Sequence, residues 1–163
     1  MPHYNCMNPD IMLPSILHRN PDAVAIIKGS AEYPNISGCV RFYQTASGVI
    51  LYSIVQGLPT TEHNHVFGFH IHMGTSCSGN QEDPFADAMS HYNPDDQSHP
   101  HHTGDLPPLF GNNGYALSVV LTNRFCVKDI LGRTIIIHDQ PDDFTTQPSG
   151  NSGNKIACGM IHV

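Results

Sequence analysis

Apolar and polar residues alternate along much of this chain in short runs cut by Gly, Pro, Asn and Asp. In S-G-C-V-R-F-Y-Q-T, the alternation puts Cys39, Arg41 and Tyr43 on one face and Val40, Phe42 and Gln44 on the other. Period two marks a half-buried strand. The same signal predicts strands over residues 23–29, 38–45, 48–55, 66–72, 115–121, 134–138 and 156–163, while a sustained helical period does not recur. Seven or eight strands in about 140 residues predict an all-β antiparallel sandwich or barrel.

Two stretches break the pattern. Residues 73–110 run for nearly forty positions with little periodicity, dense in Asp, Asn, Pro, Gly and His. A loop that long in a compact domain is usually functional. A shorter one, 139–153, precedes the last strand, and both are expected to build the site. Residues 1–22, with Pro2, Pro9, Pro14 and Pro21, read as an irregular extension ahead of a single domain at 23–163. The extension lacks a basic start followed by an apolar run, so it is not a secretory signal peptide. The chain as written is therefore expected in the cytoplasm, or else exported with a leader that lies outside this sequence.

Composition narrows the class. With 163 residues, 14 Gly, 13 Pro and only 13% charged residues, the chain suits one turn-rich core and argues against a helical bundle. No window approaches the length of a membrane-spanning helix. Seven Lys plus Arg against 14 Asp plus Glu give a net charge of -7, and the bases are scattered from Arg19 to Lys155. No stripe exists for nucleic acid or an anionic membrane. An acidic protein acting on an anion needs a local positive field, from a metal or a placed base.

Histidine supplies the candidate chemistry. There are 12, nine of them between His63 and His138, and such density points to metal. His70 and His72 lie two apart in a predicted strand, so both rings share a face. The segment H-Y-N-P-D-D-Q-S-H-P-H-H-T-G-D offers His91, His99, His102 and Asp105, a set that closes tetrahedrally around zinc, with His101 as the alternative to His99. His138 ends an apolar strand and, with His70 and His72, makes a nitrogen-only set suited to copper. Asp142 could orient ligating rings by accepting their other N–H. Of five cysteines, Cys39 and Cys126 read as buried, inert thiols. Cys6, with His3 and Met7, could take up Cu(I), although a tail without a role is the plainer reading.

From about Val24 to Ile161 the motifs follow one another in a known order: G-F-H-I-H, Cys77, H-Y-N-P with His91, H-x-x-H-x-x-D through Asp105, G-R-T-I-I-I-H and G-N-S-G-N-K-I-A-C-G. In this the chain resembles the copper/zinc superoxide dismutases. The resemblance implies a Greek-key β-sandwich, or flattened eight-stranded barrel, with two long functional loops. It implies copper held by His70, His72, His91 and His138, and zinc held by His91, His99, His102 and Asp105, with His91 bridging the two. It further implies that Asp142 links the sites through their ligands and that Cys77 pairs with Cys158. Closing a loop of that length is worth about 4 to 5 kcal/mol in the chain-entropy model. Such a bond favours an oxidising compartment.

The implied reaction converts two superoxide ions and two protons to O2 and hydrogen peroxide by copper redox cycling, an antioxidant oxidoreductase activity. His91 is the implied proton donor and Lys155 the implied catalytic cation. Superoxide is the expected substrate; a homodimer and a copper chaperone are the expected partners, and neither nucleic acid nor a membrane is. The alternative is a copper-binding, storage or delivery protein on the same fold with little turnover. Departures from the family pattern include two residues and an insertion. Lys155 stands where the family has Arg beside the copper, and Ser149 where it usually has Thr at the mouth of the substrate channel. An insertion resembling that of bacterial members separates Cys77 from His91. Lys keeps the charge of Arg without its planar fork. Copper and Lys155 are expected to supply positive potential at the channel floor.

Overall fold

The computed structural model describes residues 13–60 and 65–163. The alternating runs form β1 (Ala23–Gly29), β2 (Ser37–Thr45), β3 (Gly48–Gln56), β4 (Val66–Phe67), β5 (Phe69–His72), β6 (Leu109–Phe110), β7 (Tyr115–Thr122), β8 (Thr134–His138) and β9 (Lys155–His162). Seven strands pair in the order β5-β8-β9-β1-β2-β3-β7, every neighbour antiparallel, and β4 pairs with β6. Because β4 runs on into β5 and β6 turns into β7 through the Asn112–Tyr115 bridge, the pairing returns on itself as a flattened barrel. Counting β4 and β5 as one interrupted strand, the barrel has eight.

Alternation decides what each strand buries. Ala25, Ile27, Val40, Phe42, Leu51 and Ile137 belong to the main core, and all are almost wholly inaccessible. Strands β5 and β8 are buried at every position. Their inward residues Phe69, Ile71, Ile135 and Ile137 join that core, and their outward residues are covered by the two long loops. The outward Ile136 packs with Phe85, Ala88 and Cys158 in a second, smaller core. The Cys77–Cys158 disulfide, spanning 81 residues, ties the first loop to β9 beside that core.

Four local expectations are revised. The strand expected over 66–72 breaks at Gly68, where a Cβ would sit 2.8 Å from Ser152 Cβ and 3.2 Å from His138 Cβ. The residue must therefore be glycine for the 139–153 loop to close on the sheet. Strand β6, two residues long, was not expected at all. Within the extension read as irregular, Leu13–Leu17 forms a short helix, α1, whose Ile16 packs on Tyr43 and Ile50 across the outer face of β2 and β3. Finally, Cys39 is half-buried on that outer face. Cys126 is exposed at the start of the helix α2 (Val127–Ile130), where the chain has already left β7. His3, Cys6, Met7 and His63 lie outside the described residues. Among the described residues no helix is long and apolar enough to cross a membrane.

Candidate metal centre

Backbone pairing assembles the site. The first loop doubles back across β5, so that Asp105 pairs with His70 and His91 with His72. His138 arrives from β8, adjacent to β5. His70, His72, His91 and His138 form one buried group, and His91, His99, His102 and Asp105 form another, the donor atoms of each lying within 4.8 Å of one another. His91 belongs to both.

His70, His72, His99 and His138 are each tethered through one nitrogen and turn the other inward. His72 Nδ1 donates to Met89 O at 2.8 Å and His138 Nδ1 lies 3.3 Å from Gly153 O, which leaves their Nε2 lone pairs facing each other at 3.3 Å. His70 Nε2 donates to Asp142 Oδ2 at 2.7 Å and His99 Nε2 to Asp142 Oδ1 at 2.9 Å. One carboxylate therefore orients a ring of each group. Three inward nitrogens, His70 Nδ1, His91 Nε2 and His99 Nδ1, are buried without a hydrogen bond. His91 Nδ1 lies 2.7 Å from Asp105 Oδ1 and 3.4 Å from His102 Nδ1.

Lone pairs converging in a buried space repel unless a cation lies between them. Donors 2.0–2.1 Å from a tetrahedral ion stand about 3.3–3.4 Å apart, which is the separation of the His72–His138 and His91–His102 nitrogens. The residues present fit two cations. One set is all imidazole and suits copper; the other, three imidazoles and a carboxylate, suits zinc.

Protonation agrees with this. Burial pushes His72 and His138 well below the ordinary imidazole range and His70 down to about 4, against the opposing effect of the hydrogen bond His70 donates to Asp142. These rings are neutral at physiological pH, as ligands must be. Burial pushes Asp105 and Asp142 upward, yet both are held below the usual carboxylate range. The hydrogen bond from His91 does this for Asp105, and those from His70, the Phe144 N–H and His99 do it for Asp142.

The geometry separates His99 from His101: the former is buried and the latter exposed on the loop surface. Gln147 grips the His99 backbone from both sides, accepting from its N–H at 3.0 Å and donating to its carbonyl at 2.8 Å. Gly150, at φ +67°, leaves room for this arrangement, since a Cβ there would strike the Asp142 carboxylate and the His99 ring. Arg124 braces the same loop from outside, one guanidinium nitrogen donating to the carbonyls of Pro100, His102 and Asp105 at 3.0 to 3.2 Å.

A channel of about 420 Å³ opens onto the four-nitrogen group, lined by His72, His91, His138, Ser149, Lys155 and Asp83. Sequence reasoning missed Asp83, whose carboxylate lies 2.6 Å from Lys155 Nζ. Lys155 is thus ion-paired, where a free cation was expected. Gln147, Gly150 and Arg124 were also missed. None belongs to a residue type that itself marks metal chemistry, and each acts through loop backbone that only the folded chain brings near.

The profile of the copper/zinc superoxide dismutases matches residues 36–161. A copper/zinc superoxide dismutase of Legionella pneumophila is 34% identical over 148 residues, covering 86% of each chain. One of Aquifex aeolicus is 32% identical over 154 residues, 83% of this chain and 86% of its own. A third, from Xenopus laevis, is 31% identical over 155 residues, 85% of this chain and 95% of its own. With two fitting donor sets that share one imidazole, a disulfide and an all-β barrel, this chain belongs to the copper/zinc superoxide dismutase family.

Proposed function

We propose that the chain dismutes superoxide with His70, His72, His91 and His138 as the copper ligands and His91, His99, His102 and Asp105 as the zinc ligands. The observation that carries this reading is the pair of buried four-donor groups meeting at His91 beneath a channel of small-molecule size. Copper, when bound, supplies the one-electron cycling by which one superoxide is oxidised to O2 and a second, with two protons, is reduced to hydrogen peroxide.

The chain's own residues do the rest. His72 and His138 wall the channel floor, and Ser149 and Lys155 lie along the passage an anion would take. His91 is placed to hold a proton at Nε2, which points away from the His/Asp group, and to give it to the reduced substrate. Asp142 keeps His70 and His99 in the tautomer that turns a lone pair inward. Burial closes His70 off from solvent and leaves the other three rings reachable only along the channel.

The test is the catalysed superoxide decay rate of protein loaded with copper and zinc, beside His138→Ala supplied with equal metal. Fast decay that falls at least about a hundredfold in the variant supports the reading. Equal decay in the two proteins overturns the assignment of His138.

A further inference from the structure

Lys155 is the one Lys or Arg among the described residues lining the channel. Its ammonium is already engaged: Nζ donates to Asp83 Oδ2 at 2.6 Å and to Phe85 O at 3.2 Å, with its side chain only 15% exposed. Both members of the pair are anchored. Asp83 sits in the insertion after Cys77, where its Oδ1 accepts the Phe85 N–H at 3.0 Å and its own N–H donates to Asn80 Oδ1 at 2.9 Å. Phe85 and Ala88 of the same segment pack on Ile136 and Cys158, three residues beyond Lys155 on β9. Strand and insertion are joined again by the Cys77–Cys158 bond.

An isolated ammonium attracts a small anion over a Debye length, roughly 8–10 Å. With a carboxylate at contact distance it becomes one end of a dipole, whose field falls off far faster. Glu82 also lines the channel, so its Asp, Glu, Lys and Arg side chains there sum to negative.

We propose that Asp83 is a positioning residue that fixes the Lys155 ammonium against the channel wall and cancels most of its pull on superoxide. Capture of substrate then leans on the metal sets themselves, with little steering from side chains. The proposal rests on the reading of Lys155 as a channel residue beside the copper set. Steering in general spans about 10- to 1,000-fold in rate, a range to which this enzyme family itself contributes, and one charge accounts for a small part of it.

Three variants of the copper- and zinc-loaded protein test this, with kcat/KM measured across ionic strength. Asp83→Asn, nearly isosteric, raises kcat/KM about threefold at low salt and makes it fall more steeply as salt rises. Lys155→Met leaves Asp83 unopposed, lowers kcat/KM about threefold and flattens or inverts the profile. The double variant falls between the two, with a salt profile like the parent's.

A readout independent of copper accompanies these. In zinc-loaded, 15N-lysine-labelled protein, the Lys155 ammonium gives a slowly exchanging proton signal that disappears in Asp83→Asn at unchanged Tm. An altered Lys155→Met beside an unaltered Asp83→Asn overturns the proposal, as does absence of the ammonium signal in the parent. Lys155→Met and the double variant both matching the parent overturn the underlying reading of Lys155.

Discussion

The two donor groups are made in different ways. The four-nitrogen group takes His70 and His72 from β5, His91 from the loop paired against β5, and His138 from β8. Its residues span 69 positions of sequence and meet only when the sheet has closed. The His/Asp group draws all four members from residues 91–105, a single loop segment braced by Gln147, Asp142 and Arg124. One site is a product of strand register, the other of loop chemistry, and the difference matches the tasks proposed for them. An ion that cycles needs an open channel and donors held by a rigid sheet. An ion that only shapes the site can be enclosed by a loop, provided the loop is held.

His91→Ala breaks both groups at once, because its two nitrogens serve one each. It is expected to lower the catalysed rate more than about a thousandfold and to reduce the content of both metals, read by elemental analysis after dialysis. Asp142→Asn loosens a ring in each group without removing a donor. Loss of such an orienting carboxylate weakens metal affinity by about 10- to 100-fold; competition against a chelator measures it for each metal, and loss confined to one metal would break the proposed symmetry. Arg124→Gln acts on the loop group alone. Zinc affinity is expected to fall severalfold while copper affinity in zinc-saturated protein stays within about twofold.

The smallest effect is in pH. In metal-free protein His70 has its pKa lowered by burial to about 4 from an ordinary value of 6.5. The unfolded chain therefore takes up the proton first, so stability is full above about 6.5 and declines as pH falls toward 4. The Asp105 carboxylate, held below its usual range, keeps its charge through that window. Urea midpoints of the metal-free chain at pH 7, 5.5 and 4.5 check the sign, and a midpoint that rises on acidification contradicts it.

How much of this was legible in sequence follows the same division. Strands β1, β2, β3, β7 and β8 were readable because period two reports burial on one face. The break at Gly68 was not, since it is set by the approach of Ser152 and His138 from distant positions. Nor was α1, which gains its place from Tyr43 and Ile50. Within the site, residue types announced the donors, and spacing separated the loop set from the strand set. What spacing left open was His99 against His101, a choice made by the reach of Asp142 and Gln147 from the second loop. The pairing of Lys155 with Asp83 was equally out of view, because it depends on how the insertion folds against β9.

Imidazoles and carboxylates gain or lose protons across the acid range, whereas a guanidinium keeps its charge throughout. The bonds from Arg124 to the carbonyls of Pro100, His102 and Asp105 therefore hold the outline of the loop even while its donors are protonated. A loop stripped by brief acidification is therefore expected to keep its outline, so that refilling on return to neutral pH is set by ion arrival in place of loop reassembly.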